Sequence, residues 1–155
     1  VKVILATANG TLEEVSPEGL NFRYRTSDLQ SYPRWVMGAT FQLHPGYSRE
    51  EVVAQTHANL NQRKSTQPYD KPSCGSVFRN PQEKAAAWLI EQSGLKGFQV
   101  GDAQVAHRHA NFILNQGHAT AQDIYNVIQH VQEKVEQKWS VFLHPEVKLW
   151  GEFSN

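Results

Sequence analysis

Strand-like and helix-like patterns follow one another in mixed order along this chain, and this order constrains the fold more than any other feature. Apolar runs at residues 1–5, 35–43 and 112–114 are typical of strands. Residues 124–135 instead repeat Ile and Val at helical spacing. With two further helix patterns between these segments, they predict an α+β fold, a mixed sheet packed with about three helices.

Turn and capping residues predict the limits of the first elements. Asn9-Gly10, between two short apolar segments, predicts a hairpin because both residues tolerate positive φ. Ser48 and Glu51 have the spacing of a capping box, which predicts a helix that runs to about Lys64.

The other two helices are predicted in the same way. Asn80 is expected to cap the second helix, with Pro81 at its first position and Gly94 at its end. Thr120 and Asp123 form another capping-box pattern ahead of the third helix.

The remaining segments are read from their composition. Residues 65–80 are rich in Ser, Pro, Gly and Asp and are expected to form a loop, and residues 95–111 are expected to be irregular. Residues 141–143 and 147–150 are strand-like, and the Pro-containing residues 144–146 break them into two.

Composition excludes several classes of function. The 155 residues carry 15 Lys+Arg and 15 Asp+Glu, so the formal net charge of zero does not fit a nucleic-acid-binding protein. The sequence has neither an apolar run long enough to span a bilayer nor a signal-peptide pattern. A single Cys excludes an internal disulfide. We therefore expect a soluble intracellular protein that binds neither nucleic acid nor membrane.

Ser76 is the first candidate for chemistry. It follows Gly75 and lies just ahead of the predicted helix start at Asn80, where backbone N–H groups favour negative charge. Such a serine can donate a proton or bind an anion, and an ordinary turn serine is the alternative. Cys74 could act as a nucleophile, although a small buried thiol is the more common case.

Three histidines are weaker candidates, for a metal site. On a strand, His107 and His109 would share one face, and His118 could join them. Because no further ligand set at standard spacing accompanies them, hydrogen bonding or the polar lining of a cleft is preferred over a metal.

Three charged residues are also candidates, each with a plain surface role as the alternative. The planar guanidinium of Arg25 suits a carboxylate or a phosphate. Arg63 lies at a predicted helix end, where a cation also complements the helix dipole. Glu146 follows a proline near Phe142 and Trp150, an apolar setting that suits a proton-sharing carboxyl group.

Five segments, taken in order, resemble the UDP-N-acetylenolpyruvoylglucosamine reductase (MurB) family of flavoenzymes. They cover nearly the whole chain, and the set is far more specific than any one of its members. The segments are residues 22–27 (FRYRTS), 74–81 (CGSVFRNP), 87–97 (AWLIEQSGLKG), 109–115 (HANFILN) and 143–147 (LHPEV).

The resemblance implies two parts. Residues 1–45 would be the end of an FAD-binding domain, and residues 46–155 a complete carboxy-terminal substrate-binding domain. In the family most FAD contacts lie in an amino-terminal region, and this sequence has no Gly-rich phosphate-binding segment to replace it. The chain is therefore expected to be a fragment that binds flavin poorly and is inactive alone.

The resemblance also implies a reaction and the residues that perform it. NADPH reduces FAD, and the reduced flavin gives hydride to the enolpyruvyl group of UDP-N-acetylglucosamine enolpyruvate, forming UDP-N-acetylmuramate for peptidoglycan. Ser76 would be the proton donor, with Arg25 and Glu146 stabilising the developing charge. The implied substrate-binding residues are Tyr24, Arg63, Asn80, Lys96 and His109.

Two other functions stay open from the residues alone. One is a non-catalytic nucleotide-sugar or anion-binding domain that uses the Ser76 turn, Lys96 and Arg63. The other is a structural module that docks on a partner through aromatic side chains. The tryptophans expected to be exposed for that purpose are Trp35, Trp139 and Trp150.

Overall fold

In the computed structural model, which describes residues 2–154, the chain folds as two compact units divided between Arg49 and Glu50. The described residues form three α-helices and two sheets, which confirms the predicted α+β class and the predicted number of helices. Every strand pair in the two sheets is antiparallel, whereas the sequence predicts a mixed sheet.

The first unit is built on a three-stranded sheet. Strands β1 (Lys2–Thr7), β2 (Leu12–Val15) and β3 (Arg34–Thr40) are arranged in the order β2-β1-β3. The hairpin predicted at Asn9-Gly10 joins the first two strands. Gly10 has a φ of 84°, a left-handed conformation that glycine adopts without steric cost.

The core of the first unit is small. Val3, Leu5 and Leu20 are buried, and Val15 and Leu29 pack against them. At about 1.5–3 kcal/mol for each fully buried aliphatic side chain, this cluster offsets little of the entropy of ordering the unit.

Strand β3 lies at the edge of this sheet, and both of its faces are open within the described residues. Successive side chains of a strand point to opposite faces, yet Trp35, Val36 and Met37 are 57%, 53% and 63% exposed. The strand ends at Thr40, earlier than the predicted segment 35–43.

The second unit contains the larger core, around a four-stranded sheet of order β4-β7-β6-β5. No helix within residues 2–154 is long and apolar enough to cross a membrane. The elements of this unit are α1 (Arg49–Thr66), β4 (Ser73–Ser76), α2 (Ala86–Gln92), β5 (Gln99–Val100), β6 (Ala103–Val105), β7 (Phe112–Asn115) and α3 (Ala121–Trp139).

Helix α3 forms as the sequence predicts. Thr120 and Asp123 make a complete capping box, in which the Asp123 N–H donates to Thr120 Oγ1 at 3.1 Å. Val127, Val131 and Val135 are buried on the face that packs into the core with α2 and the sheet. Local capping and helical periodicity are therefore sufficient to specify this element.

Three stretches differ from the prediction. The predicted loop at residues 65–80 contains β4, and the predicted irregular segment 95–111 contains β5 and β6. The predicted strands at 141–143 and 147–150 are irregular. Strand β4 has the sequence SCGS, without a β-branched residue, and it is extended because it pairs with β7. A local pattern does not encode such a tertiary contact.

Helix α1 differs from the others because none of its residues is buried. It begins at Arg49, next to the predicted cap Ser48, and ends at Thr66 rather than near Lys64. Local bonds support it, such as the one from Gln55 to Asn59 across one turn. A helix that buries none of its side chains has little tertiary stabilisation.

We expect the backbone amides of α1 to exchange hydrogen at least about 100-fold faster than the buried amides of α3, because opening α1 exposes no core. Hydrogen-exchange mass spectrometry on the purified chain measures both helices at once, with α3 as the internal reference. Equal protection of the two helices would contradict this expectation.

Candidate active site

Ser76 is the last residue of β4 and pairs with Phe112 of β7. It is half-buried, and it follows Gly75, whose φ is 84°. The expectation that Ser76 lies just ahead of a helix N-terminus is wrong, because α2 begins only at Ala86. The backbone of Ser76 is fixed by a strand pair and not by a helix end.

Asn80 caps α2 from a distance. The sequence predicts Asn80 as the N-cap with Pro81 in the first turn, but the residue at the cap position is Ala85. Asn80 Oδ1 instead accepts a hydrogen bond from the Ala86 N–H at 3.0 Å, across six residues. The capping interaction exists, and the helix starts later than predicted: residues 82–84 are bends, and α2 buries its first side chain at Ala86.

Residues 76–79, which continue from the end of β4 and are called here the Ser76 turn, lie directly against the segment that carries Glu146. The Glu146 N–H donates to the Val77 carbonyl at 2.8 Å, and the Arg79 N–H donates to the His144 carbonyl at 2.9 Å. Two of the three predicted catalytic residues, 70 positions apart in sequence, thus lie on adjacent backbone segments. Glu146 is half-buried there.

These contacts also correct the prediction for the end of the chain. Phe78 and Pro145 form an isolated antiparallel bridge. The predicted break at residues 144–146 is therefore the part that pairs, and the segments on either side do not. The two hydrogen bonds flank the Phe78–Pro145 pair, so the missing N–H of proline removes no bond from it.

Asn111 holds the other side of the Ser76 turn, a role that the sequence does not predict. Its Oδ1 accepts from the Phe78 N–H at 2.9 Å, and its Nδ2 donates to the Phe78 carbonyl at 2.8 Å. Its own carbonyl accepts from the Val77 N–H at 2.9 Å. Asn111 is only 4% exposed. A polar residue inside the apolar run of residues 110–114 is the signal that could have found it, since buried amides are almost always paired.

His109 and Lys96 lie close enough to interact. Burial lowers the pKa of His109; a backbone hydrogen bond opposes this shift, and the charge of Lys96 adds to it. His109 Nδ1 accepts from the Asn111 N–H at 3.3 Å, so the neutral ring carries its proton on Nε2 and can donate from there. Lys96 Nζ pairs with Glu91 at 2.7 Å.

Arg63 lies in the last turn of α1, with its guanidinium carbon 5.9 Å from the centre of the Tyr69 ring. This contact ties Arg63 to the segment that leads into β4. It gives no support for a place beside Ser76.

Arg25 and Tyr24 belong to the first unit. They are the two central residues of a tight turn closed by hydrogen bonds between Arg23 and Thr26, at 2.9 and 3.1 Å. Arg25 has a φ of 58°, and its guanidinium carbon lies 6.0 Å from the centre of the Tyr24 ring. Both side chains are exposed at the tip of this turn.

The alternative nucleophile and metal sites gain no support. Cys74 is exposed on β4, which contradicts the expected buried thiol, and partial desolvation raises its pKa and so disfavours the thiolate. His107 and His109 follow β6 in a bend and do not share a strand face. Within residues 2–154, no three His, Cys, Asp or Glu side chains are grouped so that they could hold a metal ion.

Among residues 2–154, no helix N-terminus fits the diphosphate of FAD. A flavin dinucleotide is commonly held by a Gly-rich turn at a helix N-terminus. The N-terminus of α2 is capped by Asn80, and that of α3 by Thr120. Helix α1 begins with Glu50 and Glu51, which repel an anion.

The second unit is thus an α+β domain in which the residues that follow Ser76 are hydrogen-bonded to the segment that carries Glu146. Residues 67–150 match the family model described as "UDP-N-acetylenolpyruvoylglucosamine reductase, C-terminal domain". The chain belongs to this family.

Individual relatives agree with this assignment. The UDP-N-acetylenolpyruvoylglucosamine reductase of Acaryochloris marina is 58% identical over 94% of this chain and 47% of its own length. That of Trichormus variabilis is 54% identical over 99% of this chain and 46% of its own length. The crystal structure of the Thermus caldophilus enzyme (MurB) matches 97% of this chain and 52% of its own, with 31% identity and a TM-score of 0.74. The chain thus spans about half the length of the relatives it matches.

Proposed function

We propose that this chain supplies the substrate domain and the proton donor of a UDP-N-acetylmuramate dehydrogenase, which reduces UDP-N-acetylglucosamine enolpyruvate to UDP-N-acetylmuramate. Residues 46–155 are the substrate-binding domain in this proposal, and residues 1–45 are the end of a flavin domain. The observation that carries the proposal is the contact between the Ser76 turn and the Glu146 segment within a domain of this family.

The reaction requires a proton donor on the substrate side. Hydride addition to C3 of the enolpyruvyl group leaves an electron pair at C2, which a proton must take up. We assign that proton to the Ser76 hydroxyl. Serine is a weak acid, so it can serve only if the carbanion-like C2 lies within about 3 Å. A half-buried position at the end of a paired strand suits such fixed geometry.

The negative charge that develops at C2 spreads into the neighbouring carboxylate and needs stabilising groups. We assign the guanidinium of Arg25 to this charge, since an oriented cation is worth most where charge develops. Glu146, protonated or sharing a proton, would donate a hydrogen bond to the same substrate carboxylate. Glu146 is half-buried, on the segment that is bonded to the Ser76 turn.

The remaining predicted residues are assigned to substrate binding. Lys96 supplies a cation for the diphosphate or the carboxylate, and His109 donates from Nε2. Asn80 lies four residues after Ser76, and its Oδ1 accepts from the Ala86 N–H, which holds its side chain at the start of α2. Tyr24 and Arg63 stay assigned to substrate binding as the resemblance implies, without further support.

The cofactors FAD and NADPH are assigned to the part of the relatives' length that this chain does not span. Helix N-termini that are capped or acidic support this assignment. The substrate and the dinucleotides are polar and water-soluble, which favours a cytoplasmic reaction that serves cell-wall synthesis, and through it cell shape and division.

We expect the purified chain to lack flavin absorbance and yet to bind UDP-N-acetylglucosamine enolpyruvate in calorimetry. Lys96→Ala should weaken this binding about tenfold, because it removes a charge-assisted hydrogen bond. Lys64→Ala, which removes an equal charge from the exposed helix α1, is the matched control.

Several outcomes would count against the proposal. The absence of any heat with the substrate would favour a docking module. A second test uses the Acaryochloris marina reductase in which this chain replaces the matching carboxy-terminal segment, called here the chimera. If the chimera carries flavin and binds the UDP-sugar but never reduces it, the chain is a non-catalytic binding domain.

A further inference from the structure

Two buried amide side chains hold the segments that carry the proposed catalytic residues of the second unit. Among residues 50–154 the buried polar side chains are Asn111, 4% exposed, and Gln132, 7% exposed. Asn111 binds the Ser76 turn, and Gln132 Nε2 on α3 donates to the Leu143 carbonyl at 2.8 Å. Each buried amide thus serves one of the two segments.

The Asn111 side chain makes the hydrogen bonds that a neighbouring strand would otherwise make to the backbone of Phe78. The hydrogen bonds to the Glu146 segment leave the N–H and C=O of Phe78 pointing to the opposite side, as expected for a non-hydrogen-bonded pair. Strand β7 begins only at Phe112, so no strand backbone of β7 meets Phe78 there. The Asn111 amide takes both groups, with an acceptor at 2.9 Å and a donor at 2.8 Å, as a peptide group would.

Gln132 performs the same task for an irregular segment. Residues 141–144 belong to no strand, so sheet hydrogen bonds do not fix the position of their backbone relative to α3. The Leu143 side chain is fully buried, and its carbonyl is bonded to Gln132. This anchors the chain three residues before Glu146.

We propose that Asn111 and Gln132 are positioning residues that set the separation of Ser76 and Glu146; this inference rests on the proposed function. The two segments are joined directly by two backbone bonds, and one buried side-chain amide ties each of them to the core, in addition to the β4–β7 pairing that holds Ser76. If either amide is lost, its segment can shift while the core stays packed. A misplacement of about 1 Å can cost a factor of about 100 in rate.

The first test removes the amides and reads the backbone in the purified chain. Asn111→Leu and Gln132→Met keep side-chain size and remove the hydrogen bonds. By NMR hydrogen exchange we expect the Phe78 amide to exchange at least about tenfold faster in the first variant, and the Glu146 amide in the second. The Val105 amide of β6 should be unchanged and serves as the reference. Unchanged exchange at Phe78 and Glu146 would overturn the proposal.

The second test uses the chimera. We expect Asn111→Leu and Gln132→Met each to lower kcat by about 100-fold with KM within about threefold of the unmodified chimera. Ile128→Ala is the control, since it opens a cavity in the same core and leaves the amide bonds in place. All variants are compared well below their own melting temperatures.

The outcomes separate this inference from the function on which it rests. If the unmodified chimera does not reduce the substrate, the proposed function fails. The hydrogen-exchange measurement on the purified chain still tests whether Asn111 and Gln132 hold their segments. If the chimera is active and both amide variants keep its kcat, or if Ile128→Ala lowers kcat as much, the positioning role is wrong. Should Asn111→Leu fail to fold, Gln132→Met alone decides.

Discussion

Ser76→Ala is expected to slow the reoxidation of the reduced chimera by UDP-N-acetylglucosamine enolpyruvate by about 10²–10⁴-fold, the usual contribution of a positioned general acid. Flavin reduction by NADPH should be unchanged, because this step needs no proton from Ser76. Stopped-flow absorbance follows the two half-reactions separately. A parallel loss of both in a variant that keeps its flavin would contradict the role of Ser76 as proton donor.

Two further variants sharpen this test. Ser73→Ala changes a serine on the same strand, exposed and away from the Glu146 contact, and should leave both half-reactions intact. Ser76→Cys restores a dissociable proton at nearly the same place and should recover part of the rate. A Cys variant as slow as the Ala variant would favour a purely steric or hydrogen-bonding role for Ser76.

The neighbourhood of Ser76 shows which features of the fold can be read from sequence. Helix α3 could be predicted because its signals are local: a capping box within four residues and apolar side chains at helical spacing. The Ser76–Glu146 proximity could not, because it depends on backbone bonds between residues 70 positions apart. Only the family resemblance suggested this proximity, and it did not indicate which backbone hydrogen bonds produce it.

The predictions that were wrong for β4 and for the Pro145 segment have a common cause. Strand β4 lacks β-branched residues and is extended through its pairing with β7. The Pro145 segment, predicted as a break, pairs with Phe78 because the position it occupies requires no N–H. In each case a distant segment decides the local conformation, and propensity gives way to tertiary context.

The candidate site also contains residues to which the sequence motifs assign no role. Asn111 lies inside a matched segment, yet the resemblance assigns a role to its neighbour His109 and none to Asn111. Its function is visible only when the Phe78 backbone groups are counted and their partners found. Gln132 lies outside all five segments, on a helix whose apolar residues attract attention first.

Arg25→Ala is expected to lower kcat/KM for the UDP-sugar in the chimera by about 10²–10³-fold, because it removes the cation assigned to the developing carboxylate charge. The FAD content should stay normal, since the guanidinium lies at the exposed tip of a turn and no core depends on it. Steady-state kinetics with a flavin spectrum for each variant measures both quantities.

Backbone strain must be separated from charge in this test, because Arg25 has a φ of 58°. Arg25→Gly suits that conformation better than Ala and also lacks the guanidinium, so it should be as slow as Arg25→Ala. Arg25→Lys keeps the charge but loses the planar fork, and an intermediate rate is expected. If the Gly variant regains full activity, the turn conformation and not the guanidinium is what the reaction requires, and the role assigned to Arg25 fails.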